Sequence, residues 1–279
     1  MKNENLIEKI ISLAIEEDVH TGDITTNSLI PVEKMATALM TAKGEGVVSG
    51  IEIARRVFER FDKNIKWSPF VKDGDSIRRG DPIVKVEGSF RALLTGERIA
   101  LNILQRMSGI ATATSICVKE LSGFKTKLLD TRKTAPGMRV LDKMAVLAGG
   151  GENHRIGLYD MALIKDNHIR VAGGISKAVM EVRANAPGVK IEVETTNLQE
   201  VMEAVESGAD IVMLDNMSNE EMAEAVKVIN NRSKTEASGN MSLERLKGVA
   251  ATGVDFISVG ALTHSVVALD ISMNIIPVK

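Results

Sequence analysis

IEVETTNLQEVMEAVESGADIVMLDNMSNEEMAEAVKVIN, residues 191–230, decides the fold. An apolar run ends at Glu194, helical spacing follows from Leu198 to Ser207, a second apolar run ends at Asp215, and a second helix spans Asn219 to Asn230. Strand and helix alternating at these lengths form right-handed crossover units, and such crossovers make the strands parallel. The same rhythm extends both ways. Apolar runs end at LLD130, ALIK165, TEAS238 and FISVG260, and further helical stretches cover Gly174–Ala184 and Ser242–Ala251. Six or seven such units follow Gly109, which describes an α/β fold with a compact parallel barrel short of the usual eight strands.

A parallel barrel binds its ligand at the carboxyl ends of the strands. Asp130 to Lys133, Lys165, Glu194, Asp215, Ser238 and Gly260 are therefore expected at one mouth. Chains also leave the core at strand ends, so any one of these residues has an ordinary explanation; the mixed-sign set is what points to a site. The stretch from Asp130 to His168 adds charge, gathering Arg132, Lys133, Arg139, Lys143, His154, Arg155, Lys165 and His168 with few acids. Spread along one helix, these would form a solvated face. They lie instead at the ends of separate elements, with Gly149 to Gly151 closing a helix over Met138–Ala148.

The chemistry follows from residue type. Arginine pairs with planar carboxylates and phosphates, and lysine supplies a compact charge. Ser238–Asn240 and Ser258–Leu262 are glycine-containing loops after the last two strands, the usual place of a phosphate grip in a barrel. Glu194 and Asp215, on neighbouring strands, suit ribose hydroxyls or the waters of a Mg²⁺ ion. A substrate with a sugar, phosphates and separate carboxylates would engage every group. Two other readings stay open on these residues alone. Lys165 ends a strand as the Schiff-base lysine of an aldolase or isomerase acting on a phosphorylated sugar would, and a nonenzymatic anion-binding module would also explain the cations.

Composition narrows the classes. A formal net charge of −2 with 3% aromatic residues argues against nucleic-acid binding. The lone Cys117 excludes an intramolecular disulfide or a multi-cysteine metal site. No run approaches a membrane span, and MKNENLIEKIISLAIEEDV lacks the features of a signal or transit peptide. A soluble, cytoplasmic protein is expected.

Before the barrel, Leu6–Ile15 reads as an amphipathic helix, DVHTGDITT as a loop rich in capping and turn residues, and Glu52–Phe61 as a helix. VKDGDSIRRGDPIVKVEGS, residues 71–89, reads as short alternating strands with two Gly-Asp turns, similar in architecture to the hairpins of lipoyl and biotinyl carriers. Arg91–Thr114 is the clearest long helix, with Arg98, Asn102 and Gln105 opposite its apolar stripe.

At these residues the chain resembles the quinolinate phosphoribosyltransferases, decarboxylating type II phosphoribosyltransferases of NAD synthesis. The resemblance runs nearly end to end. It is carried by EEDVHTGDITT (16–26), GERIALNILQRMSGIAT (96–112), DTRKTAPGMRVLDKMAVLAGGGENHR (130–155), ALIKDNHI (162–169), IEVET (191–195), VMLDNM (212–217), EASGN (236–240) and ISVGALTHS (257–265). It implies an N-terminal α/β sandwich over 1–108, an open, incomplete parallel α/β barrel of the seven-stranded type over 109–265, and a tail over 266–279 packing back on the first domain. A homodimer or higher homo-oligomer with shared active sites is also implied. Arg98 of the partner subunit would then join Thr131, Arg132, His154, Arg155 and Lys165 around the carboxylates of quinolinate. Lys133 would face both substrates. Glu194 and Asp215 would hold the ribose of phosphoribosyl pyrophosphate and, through water, Mg²⁺, while Ser238, Gly239 and Asn240 with Val259, Gly260 and Ala261 would take the 5-phosphate. Lys133, Lys165, Glu194 and Asp215 are the implied catalytic residues, and nicotinate mononucleotide, pyrophosphate and CO₂ the products. A relative encoded with molybdate transport systems is similar across the barrel.

Overall fold

The structure is a computed structural model that describes residues 2–278. By compactness the chain divides into two units, one of residues 1–115, 134–150 and 262–279, the other of 116–133 and 151–261. The division is not linear, because residues 134–150 and 262–279 group with the first unit; a single helix over residues 90–120 carries both the 115/116 boundary and the 108/109 position expected between domains.

The first unit opens on helix α1 (Lys2–Asp18), followed by α2 (Ile24–Leu29), β1 (Met35–Ala42), β2 (Gly46–Val47) and α3 (Ile51–Glu59). Next come β3 (Lys66–Pro69), β4 (Ser76–Ile77), β5 (Pro82–Ser89) and α4 (Phe90–Glu120). The DVHTGDITT segment is a loop only as far as Gly22. From there Asp23 caps α2, its carboxylate accepting the Thr26 amide at 2.9 Å. The two expected Gly-Asp turns are present, with Gly74 at φ +93° and Gly80 at φ +95°. β1 alternates buried and more exposed residues, as a strand with one face on a core must.

The tail contributes β12 (Ile271–Pro277), which pairs antiparallel with β1 and gives the strand order β12-β1-β5-β3. Helix α4 buries Leu93, Ala100, Leu104, Met107 and Ile110 completely. Gln105, expected on its wet side, instead donates to the Ile271 carbonyl at 2.8 Å, while its own carbonyl accepts the Leu269 amide at 3.0 Å. The tail crosses α4 at Gly109, where an added Cβ would lie 2.2 Å from the Val267 carbonyl oxygen. Arg106 grips the fully buried Asp142 carboxylate through two hydrogen bonds of 2.9 and 2.8 Å. Asp142 lies on α5 (Arg139–Ala148), which belongs to this unit and also buries Lys143.

The second unit carries β6 (Lys127–Leu129), β7 (Ala162–Ile164), α6 (Asp166–Ala172), α7 (Ile175–Asn185), β8 (Ile191–Thr195), α8 (Leu198–Glu206) and β9 (Ile211–Asp215). It continues through α9 (Asn219–Ile229), β10 (Lys234–Ser238), a 3₁₀ turn (Leu243–Arg245), α10 (Leu246–Ala250) and β11 (Phe256–Ser258), with α11 (Ala261–His264) leading out. Its six strands are all parallel, in the order β6-β11-β10-β9-β8-β7. A single bridge from Leu129 to Glu152 extends the β6 edge. The described sheet thus has six parallel strands, within the six or seven units expected of an open, incomplete barrel. Among the described residues, no helix is long and apolar enough to cross a membrane.

Gly109→Ala drives a methyl group into the backbone of the tail. It is expected to lower the unfolding free energy by about 1–3 kcal/mol, the usual cost of overpacking, and a urea titration would register this as an earlier midpoint.

Candidate active site

Parallel alignment puts the carboxyl ends of all six strands on one edge of the second unit. Asp130 to Lys133 follow β6, Lys165 follows β7, Glu194 sits on β8, Asp215 and Ser238 end β9 and β10, and Val259 to Ala261 follow β11. The ladder brings Ser238 opposite Asp215, and the Val259 amide donates to the Leu129 carbonyl at 3.0 Å. Every expected site residue except Arg98 falls in this unit. Arg98 is an exposed residue of α4.

At the β6 end, Asp130 is wholly buried, and its Oδ1 accepts the His154 amide at 2.8 Å. That bond anchors the loop that follows the triple glycine. Arg155, next in sequence, donates to the Met161 carbonyl at 3.1 Å, and Asp160 accepts the Ile156 and Gly157 amides at 2.7 and 2.8 Å. Arg155 has a lowered pKa, first because burial penalises its charge and then because the Arg132 guanidinium repels it. Two guanidinium groups close enough to repel form a ready seat for an anion. Arg155 also lines a cavity of about 760 Å³, with Ala162, Ile164, Asn167, His168 and Val171 among its walls.

The His154 ring is only 7% exposed, with its Nε2 2.8 Å from Glu192 and 3.3 Å from Glu236, both fully buried. Burial works against a charge on this ring, while the hydrogen bonds and charges of the two glutamates push its pKa upward. Burial first, then the Glu236 charge, pushes Glu192 up to about 7. These three side chains form a group with metal-ligand spacing among the described residues. The sequence reading overlooked both glutamates.

Lys165 is exposed and lies 3.3 Å from the half-buried Glu194 carboxylate. This is not the enclosed apolar setting that activates a Schiff-base lysine. Its amide donates to Nδ1 of His168, a residue of the first turn of α6, so that histidine serves the helix start. Lys133 is exposed, its amide donating to the Thr131 hydroxyl at 3.1 Å.

The phosphate-type loop is built around a residue absent from the sequence-based set. Asn216 adopts the left-handed region (φ +57°), its amide donates to the Ser238 carbonyl at 3.0 Å, and its side chain donates to Asp215 at 2.6 Å. Its Oδ1 accepts from the Asn240 side chain at 3.2 Å. Gly239 (φ +92°) is required here, because a Cβ would sit 2.3 Å from that Oδ1. Arg245 donates to the Asn240 carbonyl at 3.0 Å and closes the loop from below. The available signal was the Asp-Asn pair at a strand end, since asparagine tolerates left-handed backbone.

Gly239→Ala should therefore distort this loop and, if the loop grips a phosphate as its place after a barrel strand leads one to expect, weaken binding of inorganic phosphate or a phosphosugar by about tenfold or more, a loss that calorimetric titration would measure directly.

Residues 23–108 match the model of the quinolinate phosphoribosyl transferase N-terminal domain, and residues 110–274 that of its C-terminal domain. A chloroplastic, carboxylating nicotinate-nucleotide pyrophosphorylase from Arabidopsis thaliana is 45% identical over 289 residues, covering 96% of this chain and 82% of that one. A probable carboxylating nicotinate-nucleotide pyrophosphorylase from Bacillus subtilis is 43% identical over 274 residues, covering 98% and 94%. The crystal structure of NadC from Streptococcus pyogenes matches with a TM-score of 0.94 at 40% identity, over 98% of this chain and 97% of that chain. With both domain models matched in order along one polypeptide, the chain belongs to the quinolinate phosphoribosyl transferase family.

Proposed function

We propose that this protein transfers the phosphoribosyl group of phosphoribosyl pyrophosphate to quinolinate, releasing pyrophosphate and CO₂ and leaving nicotinate mononucleotide. One observation carries the reading: a repelling guanidinium pair, Arg132 and Arg155, shares one sheet edge with paired carboxylates and a glycine-centred anion loop. Arg132, Arg155 and Lys165 hold the dicarboxylate, with Thr131 and the His154 segment shaping its seat. Ser238 to Asn240 and Val259 to Ala261 hold the 5-phosphate through backbone amides.

Glu194 and Asp215 are half-buried oxygen donors on neighbouring strands, the donor set Mg²⁺ takes while keeping its own waters. When bound, such an ion neutralises charge on the pyrophosphate as it leaves. The bond from ribose C1 to the pyrophosphate oxygen breaks, its electron pair departing with pyrophosphate, while positive charge grows at C1. Glu194 and Asp215 stabilise that charge, and Lys133 balances the leaving group. The pyridine nitrogen donates its lone pair to C1. The ring is then a pyridinium, so it accepts the electron pair released when the neighbouring carboxylate leaves as CO₂, and a proton replaces that carboxylate. Arg132 and Arg155 keep the other carboxylate and the ring in place.

The quaternary reading is that two copies share each site, Arg98 of the partner subunit completing the dicarboxylate seat. The exposure of Arg98 on a long rigid helix supports this.

Incubation with phosphoribosyl pyrophosphate, Mg²⁺ and quinolinate should yield nicotinate mononucleotide and CO₂, and nicotinate in place of quinolinate should yield neither; turnover of nicotinate would overturn the assignment. Lys133→Ala and Glu194→Ala should each lower kcat by at least about a hundredfold while shifting stability by no more than about 0.5 kcal/mol, so a fully active, well-folded variant of either would contradict these roles. Mixing inactive Arg98→Ala and Lys133→Ala proteins should restore part of the activity if subunits exchange, because a mixed dimer contains one intact site.

A further inference from the structure

Below the reacting groups lies a second, buried tier of side chains that the reaction as described leaves without a task. Side chains two apart on a strand share a face, about 6–7 Å along it. Glu192 therefore stands one step beneath Glu194 on β8, and Glu236 one step beneath Ser238 on β10. Both carboxylates are 0% exposed; Oε1 of Glu192 and Oε1 of Glu236 have no hydrogen-bond partner, and Oε2 of Glu236 has only its 3.3 Å ion-pair contact with Nε2 of His154. Unpartnered buried carboxylate oxygens require an explanation. A metal ion is the first to consider, because His154, Glu192 and Glu236 offer ligand atoms within 4.8 Å of one another.

The other ring nitrogen decides against it. The Arg155 amide donates to Nδ1 of His154 at 2.8 Å. An accepting Nδ1 keeps its lone pair, so the single proton of a neutral imidazole sits on Nε2, and a protonated Nε2 cannot bind a metal. Metal-bound histidines show the reverse arrangement, donating from the second nitrogen. The same amide opposes the doubly protonated ring that the two carboxylates favour, since that ring would set N–H against N–H across 2.8 Å. The ring could leave this bond only by turning about its side-chain bonds, which would also pull Nε2 away from Glu192, so a donating Nε2 and an accepting Nδ1 go together in this geometry.

We propose that Glu192 and Glu236 are positioning residues: Glu192 accepts the His154 Nε2–H and Glu236 flanks the same nitrogen at 3.3 Å, steadying it by charge, so that Nδ1 seats the Arg155 amide and aims the Arg155 guanidinium at the dicarboxylate. Asp130 fixes the same turn from the other side through the His154 amide. His154 is thus a strut within the site, with both ring nitrogens engaged by the protein. The inference rests on the proposed reaction for its kinetic arm only.

The test uses the full-length protein with Glu236→Ala and Glu236→Gln. Glu236→Ala should raise KM for quinolinate by about tenfold or more and leave KM for phosphoribosyl pyrophosphate within about twofold. Glu236→Gln, which still offers an acceptor oxygen, should recover most of the loss. Nitrogen-15 NMR of the histidines should show His154 with its proton on Nε2 in the wild type, and a mixture of tautomers in the alanine variant. Equal rises in both KM values, an unaltered KM for quinolinate, or a doubly protonated His154 at neutral pH would overturn the proposal. So would stoichiometric binding of Zn²⁺ alone that Glu236→Ala abolishes, which would make the group a metal site. A wild-type protein that fails to turn over quinolinate would refute the proposed function, while the tautomer measurement would still decide the strut.

Discussion

Six strands running in one direction constrain everything else in the second unit. A parallel ladder leaves no choice about where its carboxyl ends emerge, so residues far apart in sequence arrive on one edge without any long-range instruction. Alternation along each strand then sorts them by depth. On β8 and β10 the outermost inward residues are Glu194 and Ser238, and the next inward are Glu192 and Glu236. Reacting groups and their support are thus a product of strand periodicity.

Charge balance follows from that layering. Arg132 and Arg155 repel each other at the mouth, and the buried glutamates stand behind them at fixed depth. A cationic seat with no acids beneath it would be costly to keep empty, and one with acids at the same level would neutralise itself before substrate arrived. Placing the acids one step deeper, engaged through His154, would let the proposed seat remain both stable and attractive to a dianion. The glycine loop at Ser238–Asn240, proposed as the phosphate grip, uses a different device: Gly239 leaves room for the side chain of Asn216, a residue that braces the loop through Asn240 and Ser238.

Much of this was legible in the sequence because apolar runs of strand length between helices have few other readings. All six barrel strands lie where LLD, ALIK, IEVE, IVMLD, TEAS and FISV place them, and α4 covers its expected stripe. The failures have physical causes. Glu192 and Glu236 sit inside runs that read as strand core, and periodicity cannot reveal a buried acid whose partner is a histidine 38 residues away. Gln105 looks like wet surface until the tail, more than a hundred residues later, supplies a carbonyl for it. Lys143 counts among the cations of Asp130–His168, but charge alone does not separate site from core, and it is buried in the first unit. Asn216 carries no charge, and only its backbone conformation reveals its work.

The tail has a consequence for how the chain is made. β12 completes the sheet that begins at β1, yet residues 271–277 leave the ribosome only after all of the second unit has been synthesised. The unit translated first is therefore the last to be finished. Until then β1 presents an unpaired edge, and the groove over Gly109 stands open. At typical elongation rates of roughly 5–20 residues per second, that interval lasts on the order of ten seconds, long enough for a neighbouring nascent chain to pair with the same edge. During translation, then, the exposed edge of β1 is a point at which this protein is open to misassembly.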